Sequence, residues 1–99
     1  LMKELTVKQR QYLKGLAHDL HPVVTIGNNG LTSSVVKEIA MSLNAHELIK
    51  VKISGDEREL RNQLAEEICT QTEASFVQHI GKLLVFYKAN DKAKISLPK

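Results

Sequence analysis

The sequence PVVTIGNNGLTSSVV, residues 22–36, decides the fold of this chain. Residues 23–26 are mostly β-branched and follow a proline, which predicts a short strand. Residues 32–34 offer hydroxyl groups that can cap a helix, and the apolar side chains after them recur at helical spacing. Residues 27–30 are therefore predicted to form a loop that joins a strand directly to a helix.

Upstream of this segment, the sequence predicts a first helix over residues 7–18. Thr6 and Gln9 fit a capping box, and apolar residues then recur at helical spacing. Gly15 either weakens this helix by about 1 kcal/mol relative to alanine or permits a close backbone contact. A basic stripe with a spacing of four residues is formed by Arg10, Lys14 and His18.

Downstream, residues 49–53 alternate apolar side chains with lysines 50 and 52, which predicts a strand with one buried face and one wet, positively charged face. Apolar residues at positions 60, 64 and 68 predict a third helix. The strand-like runs 76–80 and 83–87 are separated only by a Gly-Lys pair that suits a type II′ turn, so these strands should pair antiparallel. The order αβαβαββ predicts one α+β domain with three helices and a four-stranded mixed sheet.

Composition and charge indicate a small soluble protein. The 99 residues are 42% hydrophobic and 25% charged, which fits a single domain over residues 1–99. We expect an ordered core over about residues 5–88 and a loosely ordered basic tail over residues 89–99. The formal net charge of +3 conceals a division along the chain: residues 1–55 carry +3, residues 56–73 carry −4 and residues 74–99 carry +4.

The same features predict the cellular location. No apolar run is long enough to cross a membrane, and the first residues lack a signal-peptide pattern. Cys69 has no partner for an internal disulfide, which fits a reducing compartment. We therefore expect a cytoplasmic protein with no membrane contact.

The loop Gly27, Asn28, Asn29, Gly30 is the most informative candidate site. Glycines allow a positive φ and let another backbone approach, and the amides at the start of the second helix can bind a phosphate. KH domains clamp a nucleic-acid backbone with a GxxG loop at such a place. On these four residues alone, however, a plain turn between strand and helix is the favoured interpretation. Basic residues that could converge around the loop are Arg10, Lys14, Lys37, Lys50, Lys52 and Lys82.

Catalysis has little support in the sequence. Cys69 extends the apolar face of the third helix and is expected to be a small buried hydrophobe. The four histidines are scattered without metal-ligand spacing, and no Walker-type lysine follows Gly30. Phe76 and Phe86 are expected in the core and not as platforms for base stacking. We predict no enzyme activity, no metal and no cofactor.

Several blocks of this sequence resemble the signature blocks of the YhbY family, the single-domain bacterial form of the CRM domain (chloroplast RNA splicing and ribosome maturation). The blocks are LKGLAH at 13–18, PVV at 22–24, IGNNGLT at 26–32, HELIKVK at 46–52 and IGK at 80–82. The resemblance implies a fold similar to the C-terminal domain of bacterial translation initiation factor three, with an added N-terminal helix.

The resemblance also implies a function. Members bind RNA, and the bacterial members associate with precursors of the large ribosomal subunit. Their GxxG loop matches Gly27, Asn28, Asn29 and Gly30 position by position. Many members carry a basic residue inside this loop, whereas this chain has two asparagines, so the charge must come from Arg10 and the flanking lysines.

These observations predict an RNA-binding protein that assists assembly of the large ribosomal subunit, with ribosomal RNA as its partner. The alternative is a protein-interaction module whose acidic third helix binds a basic ribosomal protein, with only incidental RNA contact.

Overall fold

Seven elements follow one another in the order predicted from the sequence. The structure is a computed structural model that describes residues 5–27, 30–54, 58–89, 95, 97 and 98. The elements are α1 (Val7–Ala17), β1 (Pro22–Ile26), α2 (Ser33–His46), β2 (Leu48–Ile53), α3 (Arg58–Thr72), β3 (Ser75–Ile80) and β4 (Leu83–Tyr87). None of these three helices combines the length and apolar character that a bilayer span requires.

The four strands form one mixed sheet in the order β1-β2-β4-β3. Strand β1 runs parallel to β2, and β4 pairs antiparallel with both β2 and β3. Ile80 pairs with Leu83 across a two-residue turn, and Gly81 within that turn has a φ of +55°. The predicted mixed sheet and hairpin are therefore confirmed.

Helices cover the two faces of the sheet unequally. The face that presents Ile49, Val51 and Phe86, here called the helix-pair face, packs against α2 and α3. The opposite face presents Leu48, Lys50, Lys52 and Val85 and is here called the α1 face, because α1 packs on its β2 and β3 strands. The sheet is thus the middle layer between one helix and two.

The two phenylalanines lie in or against the helix-pair core, as predicted. Phe86 is completely buried, and Phe76 packs partly buried against the same cluster. Their ring centroids are 5.8 Å apart with the planes tilted by 58°, a favourable aromatic geometry.

The sequence predicted that Lys50 and Lys52 of β2 are both exposed to solvent, and this prediction is wrong for Lys50. Its side chain is only 7% exposed, and its Nζ donates hydrogen bonds to the carbonyl oxygens of His18 (3.4 Å) and Leu20 (3.0 Å). The physical reason is that the chain leaving α1 passes over this position, and the carbonyls of His18 and Leu20 lie past the end of the helix, where no further helical turn supplies donors. Lys52, two residues further along the same face, is exposed as predicted.

Three described residues of the tail contact the folded body, which the polar character of the tail did not predict. Ile95 and Leu97 pack on the apolar cluster beneath α1. The amide of Ile95 donates to Oε1 of Glu47 at 3.3 Å, and Nε2 of Gln9 donates to the carbonyl of Pro98 at 3.1 Å. The two apolar side chains supply the reason, since they extend the cover over the α1 face.

Candidate nucleic-acid interface

The loop after β1 is a tight turn that ends at the start of α2. The amide of Gly30 donates to the carbonyl of Gly27 at 3.1 Å. Gly30 has a φ of +71°, a left-handed conformation that glycine adopts without steric cost. The predicted loop residues Asn28 and Asn29 lie outside the described residues.

The two glycines of the loop serve different purposes. The sequence suggested that both permit a positive φ, but only Gly30 has one. A Cβ added at Gly27 would meet no atom within 4 Å. Within the described residues, neither the backbone conformation nor the space around it requires glycine at position 27.

Helix α2 begins directly after this loop. The Thr32 side chain accepts a hydrogen bond from the amide of Val35 at 3.2 Å, and the amide of Val36 donates to the carbonyl of Thr32. The amides of Ser33 and Ser34 belong to the first turn of α2, so no earlier turn of the helix supplies carbonyls that could accept their hydrogens. Both residues are exposed, and the helix dipole adds partial positive charge here.

Exposed lysines lie at the same edge of the sheet as the loop. The amide of Ser54 donates to the carbonyl of Ile26 at 2.9 Å, and the amide of Ile53 donates to the carbonyl of Lys82 at 2.8 Å. The ends of β1 and β2 and the hairpin turn therefore meet. We call this region the loop edge, formed by Gly27, Gly30, Lys52 and Lys82.

Two other predicted residues, one on α1 and one on β2, line the same groove. Lys14 and Lys50 line a groove of about 610 Å³ between α1 and the sheet, here called the α1 groove. The remaining described residues of its lining are Gln11, Gly15, Ala17, His18, Gln78 and Ile80.

The last two predicted residues lie apart from these regions. The Nη2 of Arg10 donates to the carbonyl of Phe76 at 3.2 Å, which holds the guanidinium at the start of β3. Lys37 is exposed on α2, which packs on the opposite side of the sheet from α1. The structure therefore brings the predicted residues into two regions and leaves these two outside them.

Residues 58–72 of the acidic segment form α3, which packs on the opposite side of the sheet from α1. Glu59, Glu66 and Glu67 are exposed on this helix, which packs on the helix-pair face. The sheet therefore separates these carboxylates from Lys14 and Lys50 on the α1 face, whereas Lys37 and the start of α2 lie on the same side of the sheet as α3.

Comparison with known families decides the class of protein. The CRS1/YhbY (CRM) domain matches residues 5–88 of the chain. The chain belongs to this family. The match includes every described element from α1 to β4, and with it both the loop edge and the α1 groove.

Relatives of this CRM domain are named for RNA binding. A Haemophilus influenzae protein named "RNA-binding protein" is 51% identical over 98 residues, which cover 99% of both chains. A Pseudomonas aeruginosa protein named as a probable RNA-binding protein is 42% identical over 93 residues, covering 94% of this chain and 89% of that one. A solution structure from Staphylococcus aureus, of a hypothetical protein with a suggested RNA-binding role, is similar with a TM-score of 0.84 and 35% identity. It covers 96% of this chain and 100% of that chain.

Burial of the single cysteine in this CRM domain confirms its predicted packing role. Cys69 is 2% exposed and belongs to the helix-pair core. Burial, and then the negative charge of Glu66, raise the pKa of its thiol to about 11. The thiol is therefore protonated at neutral pH and is a poor nucleophile.

Three residues that line the α1 groove of this CRM domain were not predicted as site residues from the sequence. Gln11 and Gln78 carry amide side chains, and Gly15 has none. Glutamines are common on exposed surfaces and give no signal in sequence. Gly15 gave a signal, because glycine inside a helix needs a reason. Among the described residues no close internal contact supplies the reason, since a Cβ there would meet none of their atoms within 4 Å.

Proposed function

We propose that this CRM domain binds RNA at the loop edge and assists assembly of the large ribosomal subunit, without catalysing a reaction. The open Cβ position of Gly27, beside the exposed start of α2, is the observation that carries the proposal. The names of the relatives support RNA as the partner. The resemblance to the YhbY family supports ribosomal RNA in precursors of the large subunit.

The loop edge suits a phosphate group and not a base. The amides of Ser33 and Ser34 are donors for phosphate oxygens, and, chain neighbours aside, a Cβ added at Gly27 would meet no described atom within 4 Å. Lys52 and Lys82 add positive charge beside them. Contacts of this kind fix the position of an RNA backbone and carry little sequence information.

The energetics follow from phosphate neutralisation. If about four to six phosphates are neutralised, the logarithm of affinity should fall with the logarithm of salt concentration with a slope of about −3 to −5. Each exposed lysine contributes little alone, because water and salt screen its charge. A nearly flat salt dependence would contradict the electrostatic part of the proposal.

Gly27→Asp is the decisive variant. It adds a carboxylate where the phosphate would lie. The fold has room for a side chain at this position, so the unfolding temperature should be the same as that of the wild type. Affinity for a fragment of large-subunit ribosomal RNA, measured by fluorescence anisotropy, should fall at least about tenfold through charge repulsion. Gly27→Ala is the matched control for the side chain without the charge and should have a smaller effect. Unchanged affinity in a folded Gly27→Asp protein would move the site away from the loop.

The assembly role has a separate test. Crosslinking with nucleotide-level mapping should place the protein on precursors of the large subunit, and Gly27→Asp should reduce these crosslinks. Crosslinks to small-subunit or transfer RNA at equal frequency would contradict the role.

A second candidate function is favoured by the exposed carboxylates of α3. They form an acidic surface on the far side of the sheet, which could bind a basic ribosomal protein. Association with precursor particles that survives complete digestion of the RNA would favour this protein-interaction module. Association that disappears with the RNA would favour the loop edge.

A further inference from the structure

We propose that the α1 groove is a second RNA subsite, which holds an unpaired nucleotide of the strand bound at the loop edge. This inference rests on the proposed RNA-binding function. Three observations carry it: an unexplained glycine, a cationic lining and continuity with the loop edge.

Gly15 lies inside α1 and lines the groove. Glycine destabilises a helix relative to alanine, so a helix-interior glycine needs a compensating reason. Nothing within the described residues supplies one, because an added Cβ would meet no atom within 4 Å. The space over Gly15 is therefore available to a molecule outside the protein.

The lining of the groove favours an anion. It contains Lys14, His18 and Lys50, and the described residues of the lining include no carboxylate. Lys50 is held in place by the carbonyls of His18 and Leu20. An ammonium group has three N–H donors, and the described residues accept from two of those of Lys50, which leaves the third to a ligand in the groove.

The size and polarity of the groove suit a nucleotide. Its volume of about 610 Å³ lies within the range of small-ligand pockets. The side-chain amides of Gln11 and Gln78 can donate to and accept from the edge of a base. Only an unpaired base offers its whole edge, which is why sequence-specific RNA recognition targets single strands.

The groove and the loop edge belong to one continuous surface. Lys50 pairs with Pro22 and, after a register shift, Ile53 pairs with Ile26, the residue before Gly27, so about four residues of β2, roughly 13 Å, separate Lys50 from Gly27. Lys52 of the loop edge and its partner Thr25, both exposed, lie between Lys50 and Gly27. A single RNA strand can therefore run from the groove over Lys52 to the loop.

The test fills the groove from the position of Gly15. Gly15→Ala and Gly15→Leu replace glycine with better helix formers, so both should raise the unfolding temperature. Affinity for an oligouridylate of about twelve nucleotides should nevertheless fall, by about threefold for alanine and at least tenfold for leucine. Opposite changes in stability and affinity would not come from a purely structural role. Unchanged affinity in both variants, or a lower unfolding temperature for Gly15→Ala, would overturn the proposal.

A charge comparison on the same helix provides the control. Lys14→Gln should weaken oligouridylate binding severalfold, whereas Lys8→Gln should change it less than about twofold, because Lys8 lies about 120° around the helix axis from Lys14. Equal effects of the two variants would show that α1 contributes only diffuse charge and would overturn the subsite. An RNA duplex of the same length should be unaffected by Gly15→Ala, and a selective loss of duplex binding would contradict an unpaired nucleotide.

The two sites can fail separately. If Gly27→Asp weakens oligouridylate binding and the Gly15 variants do not, the groove proposal fails and the loop edge stands. If the Gly15 and Lys14 variants weaken binding and Gly27→Asp does not, the loop edge fails, and the groove stands as an RNA site of its own and not as a subsite for a strand bound at the loop edge. If the wild-type protein binds neither ribosomal RNA nor oligouridylate, both proposals fail.

Discussion

The two faces of the sheet are built from the same strands but differ in how completely they are covered. On the helix-pair face, α2 and α3 close over Val24, Ile26 and Phe86, and all three are buried. On the α1 face, one helix covers only part of the sheet, so Lys50 is buried while Lys52 is exposed. One face thus supplies most of the apolar core, and the other divides its residues between packing and a cationic surface.

The largest expected effect follows from the closed face. Phe86→Ala removes a completely buried ring and its contact with Phe76, so it should lower the free energy of unfolding by about 3–5 kcal/mol. Val23→Ala, at a position that is 44% exposed on the α1 face, should cost less than about 1 kcal/mol. Urea unfolding followed by circular dichroism measures both. If the two variants lost equal free energy of unfolding, the two faces of the sheet would be equally well covered.

The second prediction separates the two lysines of β2. Lys50→Met removes a charged donor from two carbonyls and should cost about 1.5–3 kcal/mol of unfolding free energy. Lys52→Met should change stability by less than about 0.5 kcal/mol, because the residue is exposed. The same Lys52 variant should weaken binding to ribosomal RNA and reduce the salt slope by about one. A stability loss at Lys52 as large as that at Lys50 would mean that both lysines are structural.

The third prediction uses pH to probe the closed face. Burial raises the pKa of the Cys69 thiol from 9.0 to about 11, so the folded state favours the protonated thiol. The stabilisation of the folded state by this protonated thiol is fully present below pH 9 and is lost as the pH rises from 9 to 11. Wild type should therefore lose about 2 kcal/mol more than Cys69→Ala over this interval. Tyr87 has a raised pKa in both proteins, so its effect cancels in the difference. Parallel pH profiles would show that Cys69 is accessible to solvent.

The smallest effect should distinguish the two loop glycines. Gly30→Ala forces a left-handed conformation on alanine and should cost about 1–2 kcal/mol. Gly27→Ala meets neither a positive φ nor a neighbouring atom, so its unfolding free energy should change by less than about 0.5 kcal/mol. Thermal unfolding of the two variants provides the measurement. If Gly27→Ala lost more free energy of unfolding than Gly30→Ala, the conformational constraint would lie at Gly27 and the prediction would be wrong.

Local patterns in the sequence predicted the elements, because each depends on a few neighbouring residues. The capping box of Thr6 and Gln9 is present, with both hydrogen bonds formed at 3.1 Å. The Gly-Lys pair at 81–82 forms the predicted two-residue turn between β3 and β4. These features require no knowledge of distant parts of the chain.

The remaining features depend on contacts between distant residues. Alternation on β2 correctly placed Lys50 and Lys52 on one face, but it contained no information about where α1 would end above them. The sequence does not distinguish the two loop glycines, Gly27 and Gly30. Only the path of the backbone shows that, of these two, Gly30 alone has a positive φ. Gln11 and Gln78 are 67 positions apart in the chain, so their common groove appears only after α1 has packed on the sheet.

The hydrogen bond from Arg10 to the carbonyl of Phe76 has a consequence for how copies of this protein behave at high concentration. Strand β3 is at one border of the sheet, where unused main-chain groups can act as a template for pairing with another molecule. Arg10 donates to one main-chain carbonyl of β3 and places a positive charge beside this strand. At the opposite border, β1 starts with Pro22, which has no amide hydrogen to offer. Both borders are thereby made less suitable for strand-to-strand aggregation.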